Sequence, residues 1–369
     1  MPKTQPPLSS VLPPLIFGTA TFNYQYNPDP FALPSTSLVH RALSSGISAF
    51  DTSPYYGPSE SILGAALAAP TPPTHAPWPR ASYTLITKVG RIASASFDYS
   101  PAWVRQSIAR SLQRLRTDYL DLVYCHDVEF VTPAEVLAAV RELRRIRDED
   151  GRVRYVGISG YPVGVLCELA EMVRRETGEP LDAVQSYANY TLQSTLLASS
   201  GVARFKQAGV DVVPNASILG MGLLRSQGVP AGTMGDWHPS PNGLREACGA
   251  AARYCGDRNV KLESVATRWA LETWLDEGAE VGTTSGGQGT RVGVSVIGVS
   301  NLPELEEAVG VWKSILAERG GGGARAEEAS TEELAKGIRE VLGTWKDFAW
   351  DSPGSDFVRK EVTENKESI

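Results

Sequence analysis

Three side chains capable of proton chemistry recur at nearly equal intervals. Asp51, Lys88 and His126 are separated by 37 and 38 residues, and each lies at or near the end of a short apolar run: SAFDTS at 48–53, TLITKV at 84–89 and LDLVYCHD at 120–127. Just past the first run come two adjacent phenols, Tyr55 and Tyr56, and then Gly57. A phenol of ordinary pKa, ~10, is no base at neutral pH. An ammonium within ~4–6 Å favours the phenolate, and a carboxylate holds that ammonium in place. A neutral imidazole alongside can hydrogen-bond an alcohol or carbonyl oxygen and orient it. Such a set suits proton transfer to or from that oxygen and lacks only a hydride carrier. The plain competing reading is a structural ion-pair network, because charged groups inside proteins are ordinarily paired.

Something must bring residues so far apart in sequence to one place. Eight short β-branched or apolar runs occur along the chain: 15–17, 48–53, 84–89, 120–127, 154–160, 182–190, 210–219 and 294–301. Between them lie helical patterns, clearest in Val104, Ile108, Leu112 and Leu115 and in Val136, Leu137, Val140 and Leu143. Ser100-Pro101 and Thr132-Pro133 place a capping residue before a proline at the first helical position, and Gly151 follows a charged helix end. The first seven runs start 28 to 36 residues apart, one βα unit each, and the longer seventh interval can hold an insertion. Eight such units predict an α/β chain folded as a single (β/α)8 TIM barrel, whose active site lies where strands end. A doubly wound sheet competes, but no G-x-G-x-x-G is present.

At 369 residues, with 42% apolar and 21% charged side chains, the chain is long enough for one large domain with a sizeable core. A net charge of −7 gives no electrostatic reason to seek nucleic acid or anionic lipid. The four cysteines have neither zinc-ligand spacing nor the density of a disulfide scaffold. His40, His75 and His238 have no second ligand at helical spacing, so no metal site is expected. No signal segment or long apolar stretch is visible, which points to a cytoplasmic protein without membrane association. Asn189 and Asn215, although in Asn-x-Ser/Thr context, then carry no glycosylation argument. The reading divides the chain into a flexible segment 1–11, a barrel over 12–350 and a flexible tail 351–369. Low-complexity loops fall near 282–290 and 319–325, and a proline-rich loop at 70–80. Cys125, adjacent to His126, should face outward under a helix, since neighbouring strand residues point to opposite faces.

FDTSPYYG at 50–57 with SESILG at 59–64, ITK at 86–88, and SIARSLQRLRTDYLDLVYCHD at 107–127 together resemble the signatures of the aldo-keto reductases, over roughly residues 12 to 310. The resemblance implies that Tyr56 is the general acid/base, supported by Lys88 and Asp51, with His126 orienting the substrate and Tyr55 as the rival phenol. It also implies a nicotinamide dinucleotide over the barrel mouth. Gly18, Thr19, Asp51, Ser159, Gln185, Ser217, Leu219, Ser300, Asn301 and Glu307 are the cofactor-binding candidates. Two positions depart from the family pattern: Gly160 stands where members usually carry Asn, and Ala216 where many carry a tyrosine that stacks on nicotinamide. Both departures, with NAS…GMGLL at 215–224, resemble the sugar-oxidising branch.

The stretch Val299–Glu307 contains no Lys or Arg but has Glu304, Glu306 and Glu307. A carboxylate near a 2′-phosphate repels it by roughly 1–4 kcal/mol at ~4 Å, about tenfold or more, so NAD is expected over NADP. The same glutamates could equally be acids favoured in the first turn of a helix. The expectation is oxidation of a free aldose, D-arabinose or a related sugar such as L-galactose, at C1 to the aldonolactone. Phe22, Asn23, Tyr55, Asp127 and Trp237 are the substrate candidates, and His238 could join Trp237 from the long seventh loop. The alternatives are a broad-range NADPH aldehyde or carbonyl reductase and a non-catalytic nucleotide-binding accessory subunit.

Overall fold

Each of the eight runs forms a strand, and hydrogen bonds between the first and last close them into a barrel. The computed structural model describes residues 5–71, 76–284, 290–320 and 325–361. Of the sequence features above, residues 1–4, 72–75 with His75, 285–289, 321–324 and 362–369 lie outside this set. The strands are β1 Leu15–Gly18, β2 Ala49–Asp51, β3 Thr84–Val89, β6 Leu120–His126, β7 Val153–Gly160, β8 Ala183–Tyr187, β9 Pro214–Ala216 and β10 Val294–Gly298. They are joined in the order β1-β10-β9-β8-β7-β6-β3-β2, every pairing parallel. β4 Arg91–Ala93 and β5 Ser96–Phe97 form a small antiparallel hairpin beyond the end of β3.

Helices cover the barrel: α1 Ser35–Ser44, α2 Ser59–Ala68, α3 Pro101–Leu115, α4 Pro133–Asp150, α5 Val163–Thr177, α6 Val202–Gln207, α7 Asn242–Gly256, α8 Leu262–Glu277, α9 Leu302–Arg319 and α10 Arg325–Leu342. Their termini follow local chemistry. The Ser100 hydroxyl accepts the Trp103 N–H, while Thr132 and Glu135 form a reciprocal capping box on α4, which ends at Gly151 with φ +66°. The inward stripe of α3, Val104, Ile108 and Leu115, is buried in the main core with Leu112 packed against it, and Val136, Val140 and Leu143 of α4 join the same core. Cys125 is also there, facing outward as strand alternation requires.

A second core forms around α7, α8 and α10, from Leu244, Cys248, Cys255, Ile338, Leu342 and Trp350. The long seventh interval therefore supplies a satellite layer as well as a loop.

Alternation builds the barrel interior in layers. Ala49, Ile86, Leu122, Tyr124, Tyr155 and Ala183 make an apolar plug. Gly157 leaves room for it, since a Cβ there would lie 2.7 Å from the Tyr124 ring and 2.4 Å from the Ala183 carbonyl. Two residues further along β2, β3, β6, β7 and β8 stand Asp51, Lys88, His126, Ser159 and Gln185, all buried and polar. The plug thus carries a polar layer at the end where the strands stop.

Residues 5–11 and 351–361, read from sequence as parts of flexible segments, are packed on the barrel. Leu8 and Leu12 are buried in the interior cluster, and the Ser9 N–H donates to Asp211, so residues 5–12 close the bottom of the barrel. At the other end, Phe357 packs edge-on against Phe97 and Phe130, Arg359 bonds Glu135 and the Phe97 carbonyl, and Ser352 donates to Glu129. Residues 351–361 are therefore held against the rim. Scattered single apolar residues among prolines and charges show no periodicity, yet Leu8, Leu12 and Phe357 each pack against apolar residues of the barrel or its rim.

Candidate active site

The polar layer is an ordered network. Lys88 Nζ donates to Asp51 Oδ1 at 2.6 Å and to the Thr52 carbonyl at 2.9 Å, and Gln185 Nε2 donates to Asp51 Oδ2 at 3.1 Å. Strand stagger makes this possible: Asp51 is paired in register with Ile86, so Lys88 lies one interior step beyond it and its stem bridges back. The loop after β2 then folds over the pair. Tyr56 N–H bonds the Ser53 carbonyl, and Lys88 Nζ lies 4.9 Å from the centre of the Tyr56 ring.

His126 stands at right angles to Tyr56, ring centres 5.7 Å apart. Its Nδ1 is 3.0 Å from Ser53 Oγ, which already accepts the Tyr55 N–H at 3.1 Å. Ser53 is then free to donate its own proton to Nδ1, which puts the imidazole hydrogen on Nε2, the nitrogen 3.5 Å from Asp127 Oδ2. Burial lowers the His126 pKa to about 3, with Lys88 and Arg91 acting the same way against Asp127. The ring is neutral, as an oxygen-orienting donor requires.

The Tyr56 phenol corrects one expectation. Its pKa is held well above that of an ordinary tyrosine, first by burial, then by the Asp51 and Asp127 carboxylates, with Arg91 opposing them. Lys88 stands close by, but its charge is offset by Asp51 at 2.6 Å. In this state the Tyr56 phenol holds its proton.

The remaining sequence candidates divide. Ser159 lies beside His126 in register, its hydroxyl only weakly engaged at 3.5 Å from the Cys125 carbonyl. Asp127, in the left-handed region with φ +56°, accepts a hydrogen bond from Arg91 and stands 3.5 Å from His126 Nε2. Arg91 in turn lies over Tyr55 at 4.0 Å, and Tyr55 also meets His126 edge-on at 5.8 Å. Asn23 is buried against the loop at Gly57, its amide on Gln25. Phe22 is wholly buried against Phe17 and belongs to the core, so it is withdrawn as a substrate contact. Trp237 leans on Tyr26 at 5.2 Å, bridging the loops after β9 and β1, while His238 is buried with its ring against the Gly220 carbonyl and Trp350.

Among the cofactor candidates, Gly18 ends β1, and Thr19 is buried with its hydroxyl on the Asp51 carbonyl, so Thr19 acts by holding the strand ends together. Ser217, with φ +56°, and Leu219 form the turn after β9. Asn301 caps α9 through the Glu304 N–H, Ser300 N–H donates to Glu304, and Glu307 accepts from Ser264. The stretch 299–307 carries no base, yet Arg225 reaches Glu304 at 2.9 Å from the loop after β9, and Arg41 pairs with Glu306. Sequence reading missed this because the partners are 79 and 265 residues away. It also missed Arg91, although a base three residues past Lys88 was open to the same strand-end argument.

Gly160 finds a structural reason. A Cβ there would lie 2.4 Å from Glu129 Oε2, so the place of a side chain at 160 is taken by a carboxyl from the turn after β6. Glu129 Oε1 accepts from the Tyr161 N–H and from Ser352, while Oε2 has no partner among the described residues. Burial and Asp127 raise the Glu129 pKa to about 8.

Proton-transfer groups gathered where the strands of a parallel barrel end are the arrangement of barrel enzymes. The model of the aldo/keto reductase family matches residues 14–319, and the chain belongs to that family of oxidoreductases. It is 41% identical over 298 residues to D-arabinose 1-dehydrogenase of Saccharomyces cerevisiae, covering 80% of this chain and 82% of that protein. L-galactose dehydrogenase of Arabidopsis thaliana is 33% identical over 285 residues, 76% of this chain and 84% of that one. The glycerol dehydrogenase structure from Gluconobacter oxydans shares the fold, with a TM-score of 0.62 at 22% identity over 94% of this chain and 96% of that one. No helix among the described residues is long and apolar enough to cross a membrane, and no group of three or more metal-ligating side chains occurs among them.

Proposed function

We propose that the chain oxidises a free aldose at C1 with NAD, D-arabinose or a related sugar such as L-galactose being the substrate and the aldonolactone the product, in the cytoplasm. The observation that carries this reading is the Asp51–Lys88 pair set under the Tyr56 ring with a neutral His126 perpendicular to it. The two sugar dehydrogenases it resembles support the substrate class.

The residues at the mouth fit a nicotinamide carboxamide. Gln185 spends its N–H on Asp51, which leaves its carbonyl oxygen to accept from an amide, and the Ser159 hydroxyl is weakly held. When bound, the nicotinamide supplies the hydride acceptor. The chain's own part is to place the anomeric hydroxyl between His126 Nε2 and the Tyr56 oxygen. Tyr56, once ionised, takes the hydroxyl proton as C1 loses hydride, while Lys88, held by Asp51, lies under the Tyr56 ring. NAD is favoured over NADP because 299–307 has no base and the arginines that approach it, Arg225 and Arg41, are each engaged by a carboxylate.

Steady-state assays of a panel of free aldoses with NAD and with NADP test the proposal. Turnover of pentoses or hexoses with NAD is the expected result, and no aldose turnover with either cofactor refutes it. The second reading, an NADPH-dependent carbonyl reductase, draws on the high pKa of Tyr56, since a phenol that holds its proton is poised to donate it. Marked NADP preference with simple aldehydes would select that reading.

A further inference from the structure

Tyr187 is the last residue of β8, two positions beyond Gln185 and on the same interior face. In register its partner on β9 is Ala216, whose methyl is too small to cover a phenol ring. One side of the ring is backed by a column. Tyr161 lies 5.5 Å away and tilted by 42°, and Trp350 of the C-terminal segment stacks on Tyr161 at 4.4 Å and 7°. Trp350 is locked there by its own N–H on the Tyr161 oxygen and by edge contact with His238. Tyr161 and Trp350 are buried, whereas Tyr187 remains half-buried. Its hydroxyl makes no hydrogen bond to any described residue, although a phenol so placed ordinarily finds one. Asp127 and Arg91 are close enough for their charges to act on that hydroxyl.

An apolar ring with a rigid backing thus faces the mouth beside a charged pair. This complements a sugar, which has apolar C–H faces and hydroxyls around its edge. We infer that Tyr187 is a substrate-positioning residue: its ring packs on the C–H face of the aldose ring, while the Arg91–Asp127 side receives the hydroxyl edge. The inference rests on the aldose reading above and specifies how that site holds its substrate. The Tyr161–Trp350 column keeps the Tyr187 ring from turning away, so the C-terminal segment supports substrate binding without touching the sugar.

The experiment compares wild type, Tyr187→Leu and Tyr187→Phe in three measurements: aldose oxidation, reduction of a small acyclic aldehyde, and the Kd of the dinucleotide by quenching of protein fluorescence. Expected for Tyr187→Leu is an aldose KM raised about tenfold, equivalent to about 1.4 kcal/mol, with kcat, acyclic aldehyde kinetics and dinucleotide Kd changed by no more than about twofold. Tyr187→Phe keeps the ring and should retain wild-type KM. An unchanged aldose KM in Tyr187→Leu overturns the inference, as does an equal loss in Tyr187→Phe, which would assign the effect to the hydroxyl. A weakened dinucleotide Kd would assign the ring to the cofactor and likewise overturn it.

Should Tyr187→Leu fail to fold, saturation-transfer NMR on wild type with reduced cofactor and aldose decides. Irradiating aromatic resonances should saturate protons on one face of the sugar, and uniform or absent transfer counts against stacking. Absence of aldose turnover in wild type is a separate result. It removes the aldose reading itself, and the stacking assignment with it.

Discussion

Lys88 and Asp51 meet at 2.6 Å with side chains only 2% and 6% exposed. The ammonium nearest Tyr56 is therefore half of a neutral pair. In the low-dielectric interior each charge needs the other, and their sum does little to draw a proton from a phenol that burial already disfavours as an anion. In the proposed reaction the tyrosine therefore starts protonated, with consequences that can be measured.

The first concerns pH. With the Tyr56 pKa raised, the phenolate needed for oxidation is scarce at neutrality and increases with alkalinity. Aldose oxidation, as kcat/KM, should rise between pH 7 and pH 10 by about tenfold per unit at the steepest, while reduction, which uses the phenol, should not rise over that range. His126, held neutral with a pKa near 3, should add no inflection between pH 5 and 8. Tyr56→Phe should abolish the alkaline rise and lower turnover by about 10²–10⁴ with dinucleotide binding retained. A flat oxidation profile in wild type, or full turnover in Tyr56→Phe, removes Tyr56 from the reaction.

A second prediction follows from the same pair. Lys88→Met leaves the Asp51 carboxylate buried with Gln185 as its remaining side-chain partner, and breaking a buried pair by removing one member costs about 3–5 kcal/mol. Replacing both, as Asp51→Asn with Lys88→Met, should recover much of that loss. Denaturant midpoints of wild type, Lys88→Met, Asp51→Asn and the double variant measure it. A double variant no more stable than Lys88→Met would mean that the pair is not coupled as its geometry demands.

These residues also show what a linear sequence can and cannot reveal. Asp51, Lys88 and His126 were legible because a repeated βα unit converts even spacing into spatial convergence. The strands were legible because parallel strands buried on both faces read as short apolar runs. The β4–β5 hairpin was not, being five strand residues of mixed polarity. Arg225 on Glu304, Glu129 in the space beside Gly160 and Trp350 on Tyr161 are contacts between chain segments with no shared period, fixed only once the barrel has set where each loop emerges. The same applies to Tyr56: its ammonium and carboxylate neighbours could be named from sequence, but not that their close pairing and the burial around them leave the phenol holding its proton.

Cofactor choice yields a third prediction. Glu304 accepts from the Ser300 N–H and from Arg225, so it both occupies the first turn of α9 and engages the nearest guanidinium. Glu304→Ala removes the acid and releases Arg225. The ratio of kcat/KM for NADP to that for NAD should rise about tenfold or more, the scale of one charge interaction at the surface. Adding Arg225→Ala should take most of the gain away. If the ratio stays constant in Glu304→Ala, discrimination at the 2′ position lies elsewhere.

Glu129 supplies the last. Its pKa rises from 4.5 to about 8 because burial and Asp127 both disfavour the carboxylate. The folded chain then holds a proton that the unfolded chain releases above about pH 4.5, and folding stability falls as pH rises from there toward 8. Glu129→Gln keeps an oxygen for the Tyr161 N–H and Ser352 but cannot ionise. It should match wild type near pH 5 and exceed it by at least about 1 kcal/mol near pH 8.5, part of the ~1.4 kcal/mol that each pKa unit represents. Urea unfolding at the two pH values reads the difference directly. The C-terminal segment offers an independent check, since Ser352 bonds Glu129 and Phe357 packs beside it on Phe130. Amide exchange along 350–361 should quicken from pH 6 to pH 9 in wild type by more than the intrinsic chemistry accounts for, and should lose that excess in Glu129→Gln. A stability difference of the same size at both pH values would show that the proton on Glu129 is not what couples the rim to pH.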